Sequence, residues 1–457
     1  MNIRAGTYRD AVYPQALPGS VPLPRATRDL RLPEVRSSAV ILLCGLVTAA
    51  AGVAAPAAPA VGWSAARDIP GSVGAGFPFD TDVGPRGTAA VAFVRRGLQV
   101  VRRDARGRWH APERVSRARA SVTAPDVEMT GRGEIVVAWT QALNRRALPP
   151  SGPNELRVAV RRRSGGWRGR AVGRTRHFID AGLQLAVDAR GDAAVIWRGG
   201  SRDVLLAAAR RAGHAFRPGR SLGEPGSDQR VAVDAQGRAF AAWTRTIPPQ
   251  HLTSQIRFAT RAPSGAWTRP TTVVSGRVGG PELALAPGEP TVLAWREEEL
   301  GLGATRTGLP AVAVRSPSGA WSAPRRLSDV RTRGLQLGVS ASAEVLATWS
   351  PAPPAYPQPG ERALYAVARP RGQDFGPVTR TGSVLDGPLA VLADGSAVTV
   401  AAGGGIESAV RPPGGVFAPV PRLTRGGDFP SLSAWGAVAL AVWAVRGRLR
   451  AASFRAG

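Results

Sequence analysis

Residues 183–197 read LQLAVDARGDAAVIW, residues 203–216 read DVLLAAARRAGHAF, and residues 217–223 read RPGRSLG. The same order returns at 229–243 (QRVAVDAQGRAFAAW), 254–267 (SQIRFATRAPSGAW) and 268–275 (TRPTTVVS). It returns again at 281–295 (PELALAPGEPTVLAW), 310–321 (PAVAVRSPSGAW) and 322–328 (SAPRRLS). Short apolar runs alternate with Gly-containing turns, so each unit reads as four short strands. The turn Asp188-Ala189-Arg190-Gly191, matched by Asp234-Ala235-Gln236-Gly237, joins the first two strands.

Outward from these copies, three positions hold the register. An aromatic follows the first turn in the second strand: Phe93, Trp139, Trp197, Trp243, Trp295, Trp349 and Trp443, with Ala401 in the seventh unit. A second aromatic opens the fourth strand: Trp109, Trp167, Phe216, Trp267, Trp321, Phe375 and Phe417. Six residues before each stands an arginine: Arg103, Arg161, Arg210, Arg261, Arg315, Arg369 and Arg411. Arg455 fills that place in the last unit. A repeat of about 50 residues with four strands and fixed aromatics suits a β-propeller blade. The fold class expected is all-β, an eight-bladed propeller over residues 61–457. The last unit reaches Gly457 just after its third strand, and residues 62–72 (GWSAARDIPGS) copy a fourth-strand segment. The N-terminal strand should therefore complete the last blade and leave no open edge. That displaced half-blade argues against an open solenoid. A hairpin centred near Ser318 puts Arg315 opposite Trp321, so the repeated arginines are expected to stack on their aromatics as scaffold.

Composition sets further bounds. Of 457 residues, 44% are hydrophobic and 20% charged, which fits a globular chain with a real core. The formal charge is +28, and every basic residue is arginine. An Arg-only, Asn-poor chain has the composition of a GC-rich genome, so nucleic acid is not the expected partner. Cys44 is the single cysteine, which excludes a disulfide framework and a cysteine metal site. His110, His177, His214 and His251 lie in separate units without metal spacing, and no metal or cofactor is expected. Ala39 to Ala55 carry no charge, Arg36 precedes them, and the triplets Ala55-Pro56-Ala57 and Ala58-Pro59-Ala60 follow. Residues 37–60 thus read as a signal peptide, or as an uncleaved signal anchor, the one expected route to a membrane. Residues 1–36 read as a disordered tail or a mis-assigned start. The expected location is secreted or envelope-associated, the expected state a monomer.

The segment between third and fourth strands resembles the Asp-box of sialidase-type propellers, Ser-x-Asp-x-Gly-x-x-Trp. The matching stretches are Asp104-Ala105-Arg106-Gly107-Arg108-Trp109, Ser164-Gly165-Gly166-Trp167, Pro263-Ser264-Gly265-Ala266-Trp267 and Pro317-Ser318-Gly319-Ala320-Trp321. The aspartate stands only at Asp104, and the Gly-to-Trp spacing is one residue short. The resemblance implies that ligands meet the face carrying the second-to-third-strand loops. Four of those loops are long: Thr140–Glu155, Thr244–Gln255, Arg296–Pro310 and Ser350–Arg362. Their candidate binding residues are Arg145, Arg146, His251, Glu297, Glu298, Glu299 and Tyr356. An active sialidase would also need a tyrosine nucleophile with its carboxylate base and three arginines. The ring holds two tyrosines, Tyr356 and Tyr365, the second in a strand pattern, and no catalytic residue is assigned. The functional expectation is a non-catalytic propeller binding a glycan, peptide or cell-envelope polymer. A sialidase-like glycoside hydrolase is the alternative.

Overall fold

The computed structural model describes residues 62–456 except 76–77, 119, 144–153, 164, 176–181, 200–203, 248–252, 299–306, 353–362 and 383–386. Of Glu298 and Arg333 it describes the backbone alone. The tail and export segment expected over 1–60 lie outside these residues. Among the described residues no helix is long and apolar enough to cross a membrane.

The chain forms an all-β ring of eight four-stranded antiparallel blades, as the repeat predicts. In blade 3 the strands, from the axis outward, are Gln184–Val187, Ala193–Gly199, Val204–Arg210 and Arg220–Pro225. The innermost strand of blade 8, Asp428–Trp435, lies beside that of blade 1, Phe79–Val83, and closes the ring. Gly62–Trp63 and Arg67–Asp68 supply the missing fourth strand of blade 8. Trp63 pairs with Phe454 and Arg67 with Ala451 along Arg448–Arg455.

Six tryptophans, Trp139, Trp197, Trp243, Trp295, Trp349 and Trp443, are fully buried with Phe93. Each fills a slot between blades: Trp197 of blade 3 shares a cluster with Val136, Leu156 and Val172 of blade 2. Glycines frame the slot. A methyl added at Gly173 would fall 2.4 Å from Trp197 Cζ2, and one at Gly219 would fall 2.2 Å from Cη2. The indole nitrogens of Trp197, Trp243, Trp295, Trp349 and Trp443 have no hydrogen-bond partner. The position therefore selects volume, not polarity, which is why blade 1 can use Phe93. Blade 7 has Ala401 and closes the gap with backbone. A methyl at Gly387 would lie 1.8 Å from the Val400 carbonyl.

A second seam runs along the innermost strands. Asp80 accepts the Val127 N–H at 2.9 Å, Asp82 the Met129 N–H at 2.7 Å, and Asp126 the Leu185 N–H at 3.0 Å. Gln336 accepts the Leu389 N–H at 2.7 Å, and Ser433 accepts the Val83 N–H at 3.3 Å across the closure. Each side chain belongs to one blade and each amide to the next. These inner strands belong to separate sheets and share no backbone ladder, so short polar side chains bridge them.

Candidate functional site

The long loops are partly strand. Gln141 pairs with Glu155, Ile247 with Thr253, and Glu298 with Gly308, so three loops are hairpin arms at their bases. The sequence loop bounds were too wide because the two-residue alternation continues past the ring surface. These arms rise from blades 2, 4 and 5. Blade 8, by contrast, turns through Arg446 and Gly447 alone.

Arg145, Arg146, His251, Glu299 and Tyr356 lie outside the described residues. Glu297 stands at the base of the blade 5 arm, opposite Leu309, with its carboxylate 2.6 Å from Arg326 Nε. Glu298 follows it opposite Gly308. Tyr365 lies in the third strand of blade 6, stacked on Trp349 with ring centres 6.0 Å apart at 8°. It is part of the scaffold. Among the described residues no group of three or more His, Cys, Asp or Glu could hold a metal ion.

The repeated arginines have a geometry of their own. Arg103, Arg161, Arg261 and Arg315 stand opposite Trp109, Trp167, Trp267 and Trp321, as the hairpin register predicts. The expected stacking holds for Arg210, whose guanidinium lies 6.0 Å from the Phe216 ring centre. The commoner arrangement is a latch to the preceding blade. Arg210 Nη2 meets Glu134 of blade 2 at 3.0 Å, and its Nε donates to the Gly191 carbonyl at 3.0 Å. Arg411 Nη1 lies 2.8 Å from Glu344 of blade 6, and Arg369 Nη1 3.6 Å from Glu289 of blade 5. Glu134, Glu289 and Glu344 each directly follow the left-handed residue of the first-to-second-strand turn: Gly133, Gly288 and Ala343. Asp192 holds that position in blade 3, and its charge acts on Arg261 of blade 4. A carboxylate attracts the arginine more strongly than a ring face does, and this turn brings one within reach.

Blade 1 has Thr88 at the latch position, and a different acid serves Arg161. Glu113 on the fourth strand of blade 1 receives Arg161 Nε at 2.6 Å and Trp167 Nε1 at 3.0 Å. Arg102 Nε reaches its other oxygen at 3.0 Å. Burial pushes the Glu113 carboxyl up, but the Arg161 hydrogen bond and the Arg102 charge outweigh it and hold the carboxyl below its ordinary range. A depressed carboxylate stabilises the fold above its unfolded pKa, and that stability is lost as pH falls through the folded one. Glu113→Gln is expected to lower stability at pH 7 by about 1 kcal/mol, discounted for a carboxylate a quarter exposed. Denaturant titrations should show the gap to wild type closing as pH drops below about 4. A gap constant from pH 7 to pH 3 would contradict the assignment.

Among the described residues, three of the surface cavities lie at blade junctions on the face of the latch turns, opposite the arms. One of about 200 Å³ between blades 8 and 1 is lined by Arg67, Arg103, Arg106 and Trp109. One of about 190 Å³ between blades 2 and 3 holds Arg162, Arg168, Arg170, Arg210 and His214. The third, about 330 Å³ between blades 4 and 5, holds Arg238 and Arg315. The latch acids and these clefts were missed in the sequence. The available signal was an acid just after the turn residue in units two, three, five and six.

No family model matches the chain, and no curated protein matches it. Among solved structures it resembles the polysaccharide lyase Uly1 at 8% identity and a TM-score of 0.47, over 72% of this chain and 89% of that one. It resembles the Dos1 propeller at 10% identity and 0.48, over 86% and 96%. A protein of unknown function from Dyadobacter fermentans matches at 12% identity and 0.43, over 86% and 98%. These are likenesses of architecture.

Proposed function

We propose that this protein is an exported, non-catalytic propeller that holds an extended glycan or envelope polymer against its arm face. The observation that carries the reading is the uneven rim: paired strands project from blades 2, 4 and 5, and a long loop continues blade 6. Blades 1, 7 and 8 end in minimal turns, so the built-up half can wall a long ligand while the low half leaves it free to run on. Arg145, Arg146, His251, Glu299 and Tyr356, which the sequence puts in the long loops, would supply the contacts. Variable loops on a rigid repeat scaffold are the usual place for recognition. The hydrolytic alternative rests on the Asp104 turn, whose carboxylate accepts the Arg106 and Arg108 N–H groups much as an Asp-box aspartate caps its turn. It would require Tyr356 to act as nucleophile beside a carboxylate.

The test is a co-sedimentation series of the purified chain with acidic and neutral polysaccharides and with envelope fractions, each reaction also assayed for new reducing ends. Saturable binding without new reducing ends is expected. It should weaken at least tenfold when residues 143–153 and 353–361 are replaced by short turns. Undiminished binding in that variant overturns the arm-face reading, and release of reducing ends overturns the non-catalytic one.

A further inference from the structure

The latch fails at one junction by charge reversal. Blade 4 has Arg238 directly after Gly237, where blades 2, 3, 5 and 6 have Glu134, Asp192, Glu289 and Glu344. Arg315 of blade 5 therefore faces an arginine where Arg210, Arg369 and Arg411 face a carboxylate. Among the described residues it makes no ion pair and no side-chain hydrogen bond. Its guanidinium lies 5.3 Å from the Phe258 ring centre. Arg238 lies over Phe240 at 5.7 Å and gives its Nε to Asp234 at 2.6 Å. The cavity between them, about 330 Å³, also has Glu289, Pro287, Pro290 and Ser316 in its lining. Glu289 does not neutralise Arg315, because it is engaged by Arg369 and Arg371 of blade 6 at 3.6 and 3.3 Å. The charged groups lining the space are Arg238 and Arg315 against Asp234 and Glu289, and both carboxylates are engaged by other arginines, Asp234 by Arg238 and Glu289 by Arg369 and Arg371, which leaves Arg315 without a carboxylate of its own. Burial, and secondly the charge of Arg238, lowers the pKa of Arg315.

We propose that the junction of blades 4 and 5 is an oxyanion site, where a ligand's carboxylate, sulfate or phosphate group bridges Arg315 and Arg238 in place of the missing latch carboxylate. Arginine suits the task, since its planar fork binds two oxygens of such a group at once. The room is more than a bare ion needs, and Pro287, Pro290 and Pro317 give it apolar walls. That combination fits a small ring acid, such as a uronic acid, better than an inorganic ion. The site lies on the turn face and does not depend on the arms. The variant with shortened arms should bind this ligand as wild type does, so the two readings can fail separately.

Arg238→Asp gives blade 4 the residue that blade 3 carries as Asp192, after the same Asp-x-x-Gly turn. It should latch Arg315 internally. Thermal unfolding is measured at fixed ionic strength with increasing sodium glucuronate, acetate or sulfate, for wild type, Arg238→Asp and Arg315→Met. Wild type should show a saturable rise in melting temperature, with half-saturation by glucuronate at least tenfold below that by acetate. Arg238→Asp should melt higher without ligand and lose the saturable rise. Arg315→Met should lose the rise without the gain. A stronger response to sulfate than to glucuronate keeps the oxyanion site but makes its natural occupant an inorganic or ester anion. Equal rises in all three proteins, or no saturation in wild type, overturn the proposal.

Discussion

A chain lacking Gly62–Ala75 is expected to lose its cooperative fold. This segment is the fourth strand of blade 8, and the third strand, Arg448–Arg455, has no other cover on that side. Ser64 donates its N–H to the Ser453 carbonyl at 2.8 Å, Ile69 to Leu449 at 2.9 Å, and Gly74 to Gly447 at 2.7 Å. The Ser72 hydroxyl accepts the Leu449 N–H at 3.0 Å. Ile69 is 2% exposed and Ala75 fully buried, in one cluster with Phe93 of blade 1 and Val442 and Leu449 of blade 8. Trp63 meets Phe454 edge to face, 5.5 Å between ring centres. Losing one buried isoleucine, a half-buried indole and several backbone bonds costs roughly 5 kcal/mol or more, a large part of a typical domain's stability. It also bares an unpaired strand edge, which favours association. Size-exclusion chromatography and thermal melts of the shortened and full chains provide the check. Ile69→Ala is the graded version, expected to cost about 2–4 kcal/mol. An unchanged melting temperature for the shortened chain would show that the clasp contributes nothing.

The ring was legible because a blade is a local unit whose signals repeat. A turn glycine, an aromatic in the second strand and an arginine six residues before the next aromatic all come from within one blade, and sequence spacing records such contacts directly. The displaced strand at Trp63 was legible for the same reason: it copies a segment whose partners were already known from other units. Trp197, Trp243 and Trp295 were found as register marks, and their burial follows from their size.

What the sequence hid lies between blades. Glu134 and Arg210 are 76 residues apart. The latch needs the ring to be closed before the two meet, so no short-range pattern reports it. The arginine looked tied to the aromatic opposite it, and that pairing is real in the backbone at Arg261 and Trp267. The side chain then leaves the hairpin for a stronger partner. Asp80, Asp82 and Asp126 were hidden differently. Each holds a backbone amide of the next blade, a partner that no pattern within one blade reveals. Candidate binding residues were chosen for lying in long loops and for their chemistry, and neither property fixes where a side chain is placed.

Arg210→Met is expected to destabilise the protein far more than Arg190→Met, although the two substitutions remove the same charge. The Arg210 side chain is 2% exposed and that of Glu134 is 18% exposed, so the pair lies almost out of water. Removing one partner leaves the Glu134 carboxylate without its cation and the Gly191 carbonyl without its donor. Breaking such a pair costs about 3–5 kcal/mol when both groups are buried, and the residual exposure of Glu134 brings this to roughly 2–4. Arg190 is half exposed, and its contact with Asp188 at 3.4 Å should be worth no more than about 0.5 kcal/mol. Urea titrations of both variants, repeated at high salt, separate the cases, because screening weakens the exposed pair first. Adding Glu134→Leu to Arg210→Met should recover part of the loss by removing the stranded carboxylate. Equal costs for the two arginines would refute the latch. If the costs differ as expected, the latch arginines are internal counter-charges and weigh little as evidence for an anionic partner. The cationic surface that matters for recognition is then confined to arginines without a blade-to-blade carboxylate, and Arg315 is the one whose neighbour was replaced by a like charge.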